Sequence, residues 1–230
     1  MLNLKKYFKS YFLTFLRQSI KNHNQKLITY KDKNTFTIKT NNNKFNIVFP
    51  DNKTNGLKIH LGSGEINLQG WVNIDARKFN HTHLVSQDFS LKEFKNNSVE
   101  QIYLCHVLEH FSFKDSPKLL EVIKNKLKLS GIVRISVPNF KQIVKIYNAS
   151  KDLNIIKNAL MGGQSYNNDF HRSVYDFKEI YDLLRELGFK KIMKWNPKFF
   201  FKTSVGDWSE YKYVVRGRSY PISINIQATK

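Results

Sequence analysis

The segment at residues 57–75, LKIHLGSGEINLQGWVNID, constrains the fold more than any other stretch of the chain. It begins with an apolar run, turns on Gly62-Ser63-Gly64, and after a short crossover enters a second apolar run that stops at Asp75. Glycines let the backbone turn tightly beside a ligand, and an acid at the end of the next strand can accept hydrogen bonds from two ribose hydroxyls. The segment therefore predicts half of a nucleoside pocket.

This pattern fits a dinucleotide poorly. The dinucleotide fingerprint requires a third glycine three residues after the second, and an acid roughly 20 residues further on. Here position 67 is Asn67, and Asp75 follows Gly62 by only 13 residues. Two glycines and an early acid favour a smaller ligand that contains adenosine.

Further motifs follow in a consistent order along the chain. After LGSGE and GWVNID come SVEQIYLCHVLEHF at residues 98–111, GIVRISVPNF at 131–140 and ELGF at 186–189. Over about residues 57–230 this series resembles class I S-adenosylmethionine-dependent methyltransferases, and within them a group of small bacterial enzymes often associated with surface polysaccharide biosynthesis. The resemblance implies methyl transfer (EC 2.1.1) with S-adenosyl-L-methionine as the cofactor.

The chain is expected to form one α/β domain at residues 57–230, preceded by an extension at 1–56. From Leu57 onward apolar strands alternate with helical segments, which predicts a doubly wound, mostly parallel, seven-stranded sheet, the Rossmann-like methyltransferase fold. We expect strands at 57–61, 72–74, 83–86, 101–105, 131–137, 190–195 and one long strand within 211–227. Helices are expected at 116–128, 140–149, 152–160 and 176–187.

The extension combines a helix with strands. Apolar and aromatic residues recur every four positions over residues 1–22, among lysines, which predicts a basic amphipathic helix. Such a helix can lie on an anionic membrane surface, although packing on its own domain or on a second subunit of a homodimer is the commoner use. Residues 26–31, 35–40 and 44–50 alternate polar with apolar side chains and predict a β-hairpin or meander, followed by a linker at 51–56.

Composition adds two constraints. The net charge of +20 favours anionic partners, but the basic residues are scattered over every segment, so general compositional bias explains the charge equally well. The single cysteine, Cys105, excludes an internal disulfide. Neither a secretory signal nor a membrane-spanning apolar run is visible, and we expect a cytoplasmic protein, with contact at the inner face of the membrane as an alternative.

Ligands of a doubly wound sheet lie beyond the carboxyl ends of its strands. Residues that could contact a ligand follow each of the first four predicted strands. The resemblance implies that the glycine turn faces the methionine part of the cofactor, that Asp75 holds the ribose, and that Asp88 lies near the adenine. For Asp88, a turn-capping role in Asp-Phe-Ser is the alternative. The predicted cofactor-binding residues are Leu61, Gly62, Ser63, Gly64, Asp75, Asp88, Cys105 and His106.

The sequence HVLEH at residues 106–110 directly follows the fourth strand. The resemblance implies that His106 lies beside the reactive methyl group, as a general base or as a donor that orients the substrate. The spacing of His106 and His110 would also suit a metal pair, but the sequence is not HExxH and no third ligand can be placed, so no metal is predicted.

The acceptor half of the site is expected on a lid after the fifth strand. Met161-Gly162-Gly163-Gln164 and Asp169-Phe170-His171-Arg172 combine mobile glycines with hydrogen-bond donors, although an ordinary loop would have the same composition. His171 competes with His106 as the catalytic base. Trp208, in Gly206-Asp207-Trp208-Ser209, either lines the acceptor pocket or anchors the core. The predicted substrate-binding residues are His110, Gln164, His171, Arg172 and Trp208.

Three functions remain compatible with the sequence. The first is O-methylation of an anionic carbohydrate, sugar-phosphate or phosphoramidate precursor of a bacterial capsule or lipopolysaccharide. The second is methylation of RNA or another nucleic acid, which the charge favours, although the resemblance places CHVLEH where amino-methylating enzymes carry an NPPY-like sequence. The third is a noncatalytic cofactor-binding protein held at the membrane surface by residues 1–22.

Overall fold

The computed structural model describes residues 27–30, 35–39, 44–48, 56–201 and 205–230. The helix predicted at residues 1–22 and nearly all of the linker predicted at 51–56 lie outside the described residues. Strands β1 (Leu27–Tyr30), β2 (Thr35–Lys39) and β3 (Lys44–Val48) pair antiparallel in the order β1-β2-β3. The antiparallel meander predicted for this region is therefore present.

The main sheet has seven strands, which are β4 (Leu57–Leu61), β5 (Val72–Asp75), β6 (Leu84–Val85), β7 (Val99–Cys105), β8 (Leu127–Pro138), β9 (Lys190–Lys194) and β12 (Ser223–Thr229). Their order across the sheet is β6-β5-β4-β7-β8-β12-β9. Neighbours from β6 to β8 pair in parallel, whereas β12 runs antiparallel to both β8 and β9. The predicted doubly wound, mostly parallel, seven-stranded fold is confirmed.

Helices begin close to the predicted positions. The connection from β4 to β5 contains no helix, and the amides of Gly62 and Ser63 donate instead to the carbonyl of Ile74. A 3-10 turn at Leu108–His110 follows β7 and contains the buried Glu109. The helices are α1 (Ser116–Lys126), α2 (Phe140–Ser150), α3 (Leu153–Met161), α4 (Phe177–Glu186) and α5 (Pro197–Phe201).

The core lies on both faces of the central strands. Alternate and consecutive apolar residues of β4, β7 and β8 are fully buried, as expected for parallel strands covered by helices on both sides. Helix α4 packs Ile180 and Leu184 into this core. A rigid central sheet therefore fixes the positions of the residues that follow its strands.

The long strand predicted within residues 211–227 is wrong. The structure has a two-stranded hairpin, β10 (Lys212–Val215) and β11 (Arg218–Pro221), before β12 begins. Arg216 and Gly217 both have positive φ, 49° and 73°, which is the geometry of a two-residue hairpin turn and breaks the strand.

Among the residues that the structure describes, no helix has both the length and the apolar character that crossing a membrane requires.

The amino terminus of α4 allows a stability prediction. Asp176 has an extended backbone and its Oδ1 accepts a hydrogen bond from the amide of Glu179 at 2.8 Å, so it is the N-cap. We expect Asp176→Ala to lower the free energy of unfolding by about 1 kcal/mol, measured by urea denaturation. Glu186→Ala removes an exposed acid from the same helix without touching the cap, and should change stability by less than about 0.5 kcal/mol. Equal losses in both variants would contradict the capping role.

Candidate functional site

A cavity of about 730 Å³ opens at the carboxyl ends of β4, β5 and β7. This volume is in the usual range for sites that hold a cofactor or a small ligand. The cavity lining includes the glycine turn and residues of the loop after α3. Of the residues predicted from the sequence, the lining includes Gly62, Ser63, Gly64, Asp75, Cys105, His106, His110, His171, Arg172 and Trp208.

The glycine turn is held tightly against the rest of the domain. Gly62 has φ +70°, and a Cβ atom built on it would lie 2.2 Å from Cγ2 of Val107. The amides of Gly62 and Ser63 are used by the Ile74 carbonyl, so they cannot also donate to a ligand. The hydroxyl of Ser63, by contrast, is buried at the cavity and has no hydrogen-bond partner among the described residues. It is therefore a suitable polar contact for a bound ligand.

Asp75 is oriented by the backbone on both sides of it. Its Oδ2 accepts a hydrogen bond from the Gly64 amide at 2.7 Å, and its Oδ1 accepts one from the Arg77 amide at 2.8 Å. Each carboxylate oxygen can accept more than one hydrogen bond, so both retain acceptor capacity toward the cavity. The side chain is only 9% exposed, which fixes its orientation before a ligand arrives. An oriented carboxylate with free acceptor capacity can receive hydrogen bonds from the hydroxyl groups of a ligand.

Three predicted contacts do not line the cavity. Leu61 is fully buried in the core. Asp88 accepts hydrogen bonds from the Ser86 hydroxyl and the Ser90 amide, which is the turn-capping arrangement that was the alternative to an adenine contact. Gln164 turns its side-chain amide toward the Met161 carbonyl instead of the cavity.

Other residues, which were not predicted from the sequence, also line the cavity. Gln87, next to Asp88, lines the cavity and donates from its side-chain amide to the Ala76 carbonyl at 2.6 Å. Arg77, two residues after Asp75, lies over the ring of Tyr166 at 4.3 Å. Its position directly after a strand was the sequence signal that could have identified it.

His106 lies at the end of β7 with a left-handed backbone, φ +53°, which is unusual for a residue other than glycine. Its Nε2 is 2.8 Å from the Ser223 hydroxyl, and that hydroxyl already donates its one proton to the Trp208 carbonyl. Nε2 must therefore carry the proton, which leaves the lone pair on Nδ1. Burial lowers the pKa of His106 to about 3, so the ring is neutral.

The Nδ1 lone pair of His106 faces a buried carboxyl group. Oε1 of Glu109 is 3.2 Å away, yet no hydrogen bond of acceptable geometry reaches either Glu109 oxygen from any residue that the structure describes. Burial raises the pKa of Glu109 to about 8. His106 is thus held by a hydrogen bond at Nε2, and its Nδ1 faces Glu109, which suits an orienting residue better than a free general base.

The loop after α3 crosses directly over the 3-10 turn. The carbonyl of Glu109 accepts hydrogen bonds from the amides of Arg172 at 2.7 Å and Ser173 at 3.1 Å. This crossing brings Nε2 of His171 to 3.9 Å from Oε1 of Glu109, and the rings of His110 and His171 to 4.9 Å between centroids. Burial lowers the pKa of His171 to about 4. Sequence reasoning could not see this cluster, because 62 residues separate Glu109 from His171.

Trp208 lines the cavity and does not anchor the core. Its ring lies 5.8 Å from that of His106 and lines the cavity, with about half of the residue exposed. The neighbouring Asp207 forms the turn, accepting from the Ser209 amide and from the buried hydroxyl of Tyr103. Cys105 also lines the cavity, and burial raises the pKa of its thiol well above the usual value, so it is not a nucleophile.

Comparison with known proteins identifies similar architectures. No protein-family model and no curated protein sequence matches the chain. Similar solved structures include SAM-dependent methyltransferases from Archaeoglobus fulgidus (15% identity, 76% of this chain and 86% of that chain, TM-score 0.48) and Methanosarcina mazei (14%, 75% and 91%, 0.48). Another is a possible histamine N-methyltransferase from Thermotoga maritima (15%, 76% and 82%, 0.46). At these identities, what the site does has to be inferred from its own residues.

Proposed function

We propose that this protein is an S-adenosylmethionine-dependent methyltransferase. The observation that carries the proposal is the Asp75 carboxylate, held at the end of β5 by the amides of Gly64 and Arg77 with acceptor capacity left toward the cavity. The buried Ser63 hydroxyl offers a second polar contact on the same side. These groups fit the ribose and the polar tail of an adenosine-containing cofactor, which would supply a methyl group bound to a positively charged sulfur.

The protein's contribution to such a transfer is positioning. Holding an acceptor oxygen in line with a methyl group can supply roughly 7–11 kcal/mol of the barrier. His106, Trp208 and His171 line the cavity and form the wall against which an acceptor is proposed to lie. Since Nε2 of His106 is hydrogen-bonded to Ser223 and Nδ1 faces Glu109, its role in the proposal is to shape and orient this wall.

The proposed acceptor is a hydroxylated anionic compound, such as a carbohydrate, sugar-phosphate or phosphoramidate precursor of a bacterial capsule or lipopolysaccharide. Support comes from the motif resemblance and from Arg172, which lines the cavity, is exposed and makes no ion pair with any described residue. The wider lining is not basic. Among the described residues that form it, two arginines face five carboxylates, at Glu65, Asp75, Asp115, Asp169 and Asp207. The charge of +20 is therefore not concentrated at the cavity, which disfavours a nucleic-acid acceptor.

Binding of S-adenosylhomocysteine tests the cofactor assignment. Calorimetric titration of the full chain should give one site per molecule, and a complete lack of binding by both S-adenosylmethionine and its demethylated product would overturn the proposal. The acceptor class is tested by transfer of a labelled methyl group to sugar phosphates and, separately, to RNA. Preferential transfer to RNA, with affinity that falls steeply with salt, would favour the nucleic-acid function instead.

A further inference from the structure

We propose that Glu109, His110 and His171 form a binding site for a divalent metal cation on the acceptor side of the cavity. One ligand atom from each side chain lies within 4.8 Å of the other two. Carboxylate and imidazole groups at such separations can converge on one ion, since metal–ligand bonds to nitrogen and oxygen are about 2.0–2.2 Å long. The site goes beyond the proposed function, which requires no metal.

The state of Glu109 is an independent reason to expect a ligand. The residue is completely buried, and neither carboxyl oxygen has a hydrogen-bond partner in the part of the chain that the structure describes. Burying a polar group without a partner is costly, and buried carboxylates are normally paired or coordinated to a metal. Oε1 of Glu109 also lies 3.2 Å from Nδ1 of His106. A cation bound by Glu109 would supply the partner that its buried oxygens lack.

The surrounding backbone orients the two imidazoles as it does in metal sites. Nδ1 of His110 lies 3.3 Å from the Phe170 carbonyl, so it carries the proton and leaves the lone pair on Nε2. The ring of His171 lies beside the backbone carbonyls of Ala159 and Leu160, and its Nε2 is 3.9 Å from Oε1 of Glu109. Metal-ligating histidines almost always donate their second ring nitrogen to such a partner. The hydrogen bonds from Arg172 and Ser173 to the Glu109 carbonyl hold the two halves of the site together.

The ligand types indicate which cations would bind. Two imidazoles with one carboxylate suit zinc, cobalt, manganese or iron, whereas magnesium and calcium prefer oxygen ligands throughout. Three protein ligands leave at least one coordination position open. Because His110 and His171 both line the cavity, we infer that the open position faces it. If the proposed function holds, an oxygen of the acceptor can occupy that position.

Calorimetry on the full chain, stripped with a chelator, tests the site directly. Titration with ZnCl₂ should show one site per chain with micromolar or tighter affinity, and MgCl₂ should bind at least about tenfold more weakly. Glu109→Gln and His171→Gln should each weaken zinc binding by about 100-fold or more, since loss of a ligand costs more than the 10–100-fold typical of outer partners. His83→Gln is the matched control, because His83 does not line the cavity, and its affinity should equal that of the wild type.

Several outcomes overturn the proposal. These are zinc binding weaker than millimolar, or affinities that are the same in the wild type, Glu109→Gln and His171→Gln. Circular dichroism checks that the variants are folded. If they are not, the visible spectrum of the wild type with CoCl₂ decides, because nitrogen-ligated cobalt has intense bands and the hexaaquo ion alone would exclude the site.

The two proposals can fail separately. S-adenosylhomocysteine binding is measured in the presence of EDTA, where Asp75 and the glycine turn should suffice. Cofactor binding without cation binding would remove the metal site and leave the methyltransferase assignment. Cation binding without cofactor binding would leave the metal site and remove the methyltransferase assignment.

Discussion

Asp75→Ala is expected to abolish measurable binding of S-adenosylhomocysteine. In the proposed complex the carboxylate accepts hydrogen bonds from two ribose hydroxyls, and a hydrogen bond to a charged group contributes about 1.5–3 kcal/mol. Losing both corresponds to an increase in Kd of at least about 100-fold. The substitution also removes the acceptor that the amides of Gly64 and Arg77 share, so the glycine turn loses its anchor as well. Isothermal titration calorimetry of the two proteins measures the effect.

Asp88→Ala provides the matched control for that loss. Asp88 is also an acid that follows a strand, but its carboxylate caps a turn through Ser86 and Ser90 and does not line the cavity. We expect its Kd to stay within about threefold of the wild type, a change below 1 kcal/mol. An unchanged Kd in Asp75→Ala would contradict the ribose assignment. A large loss in Asp88→Ala alone would restore the adenine role first predicted for that residue.

The fold was predictable because its signals are local. The strand at Leu57–Leu61 and the strand that ends in Asp75 are apolar runs bounded by glycine and acid, and each was predicted within one residue. The last strands were not, although Gly217, in a polar run at residues 216–219, marked the place where the backbone reverses. The turn also uses a positive φ at Arg216, which is unusual for a residue other than glycine and which the sequence does not signal.

The candidate site also has residues that the sequence could predict and residues that it could not. Residues that follow directly after strands, such as Asp75 and His106, could be placed by the rule that ligands lie beyond strand carboxyl ends. The Glu109–His171 pairing could not, because it depends on a loop that crosses the 3-10 turn through two backbone hydrogen bonds. The predicted adenine contact of Asp88 is absent for a different reason. Ser86 and Ser90, on either side of Asp88, donate hydrogen bonds to its carboxylate, so the carboxylate caps a turn and does not line the cavity.

The glycine turn leaves no room for a side chain at Gly62, and adding one should measurably lower the stability of the fold. Gly62→Ala is expected to lower the free energy of unfolding by about 2–5 kcal/mol, because a left-handed backbone at a residue with a Cβ costs about 1–2 kcal/mol and overpacking costs about 1–3 kcal/mol. The clash is with a branched, buried side chain, since the added Cβ would lie 2.2 Å from Cγ2 of Val107. Urea denaturation followed by circular dichroism measures the loss.

Gly64→Ala separates the two causes of that loss. Gly64 has φ +51° in the same turn, but an added Cβ there meets no described atom within 4 Å, so only the backbone cost of about 1–2 kcal/mol should remain. In a Val107→Ala background the obstructing methyl group is gone, and we expect Gly62→Ala to cost at least about 1 kcal/mol less than it does in the wild type. Equal losses at Gly62 and Gly64, with no coupling to Val107, would mean that backbone conformation alone requires glycine in this turn.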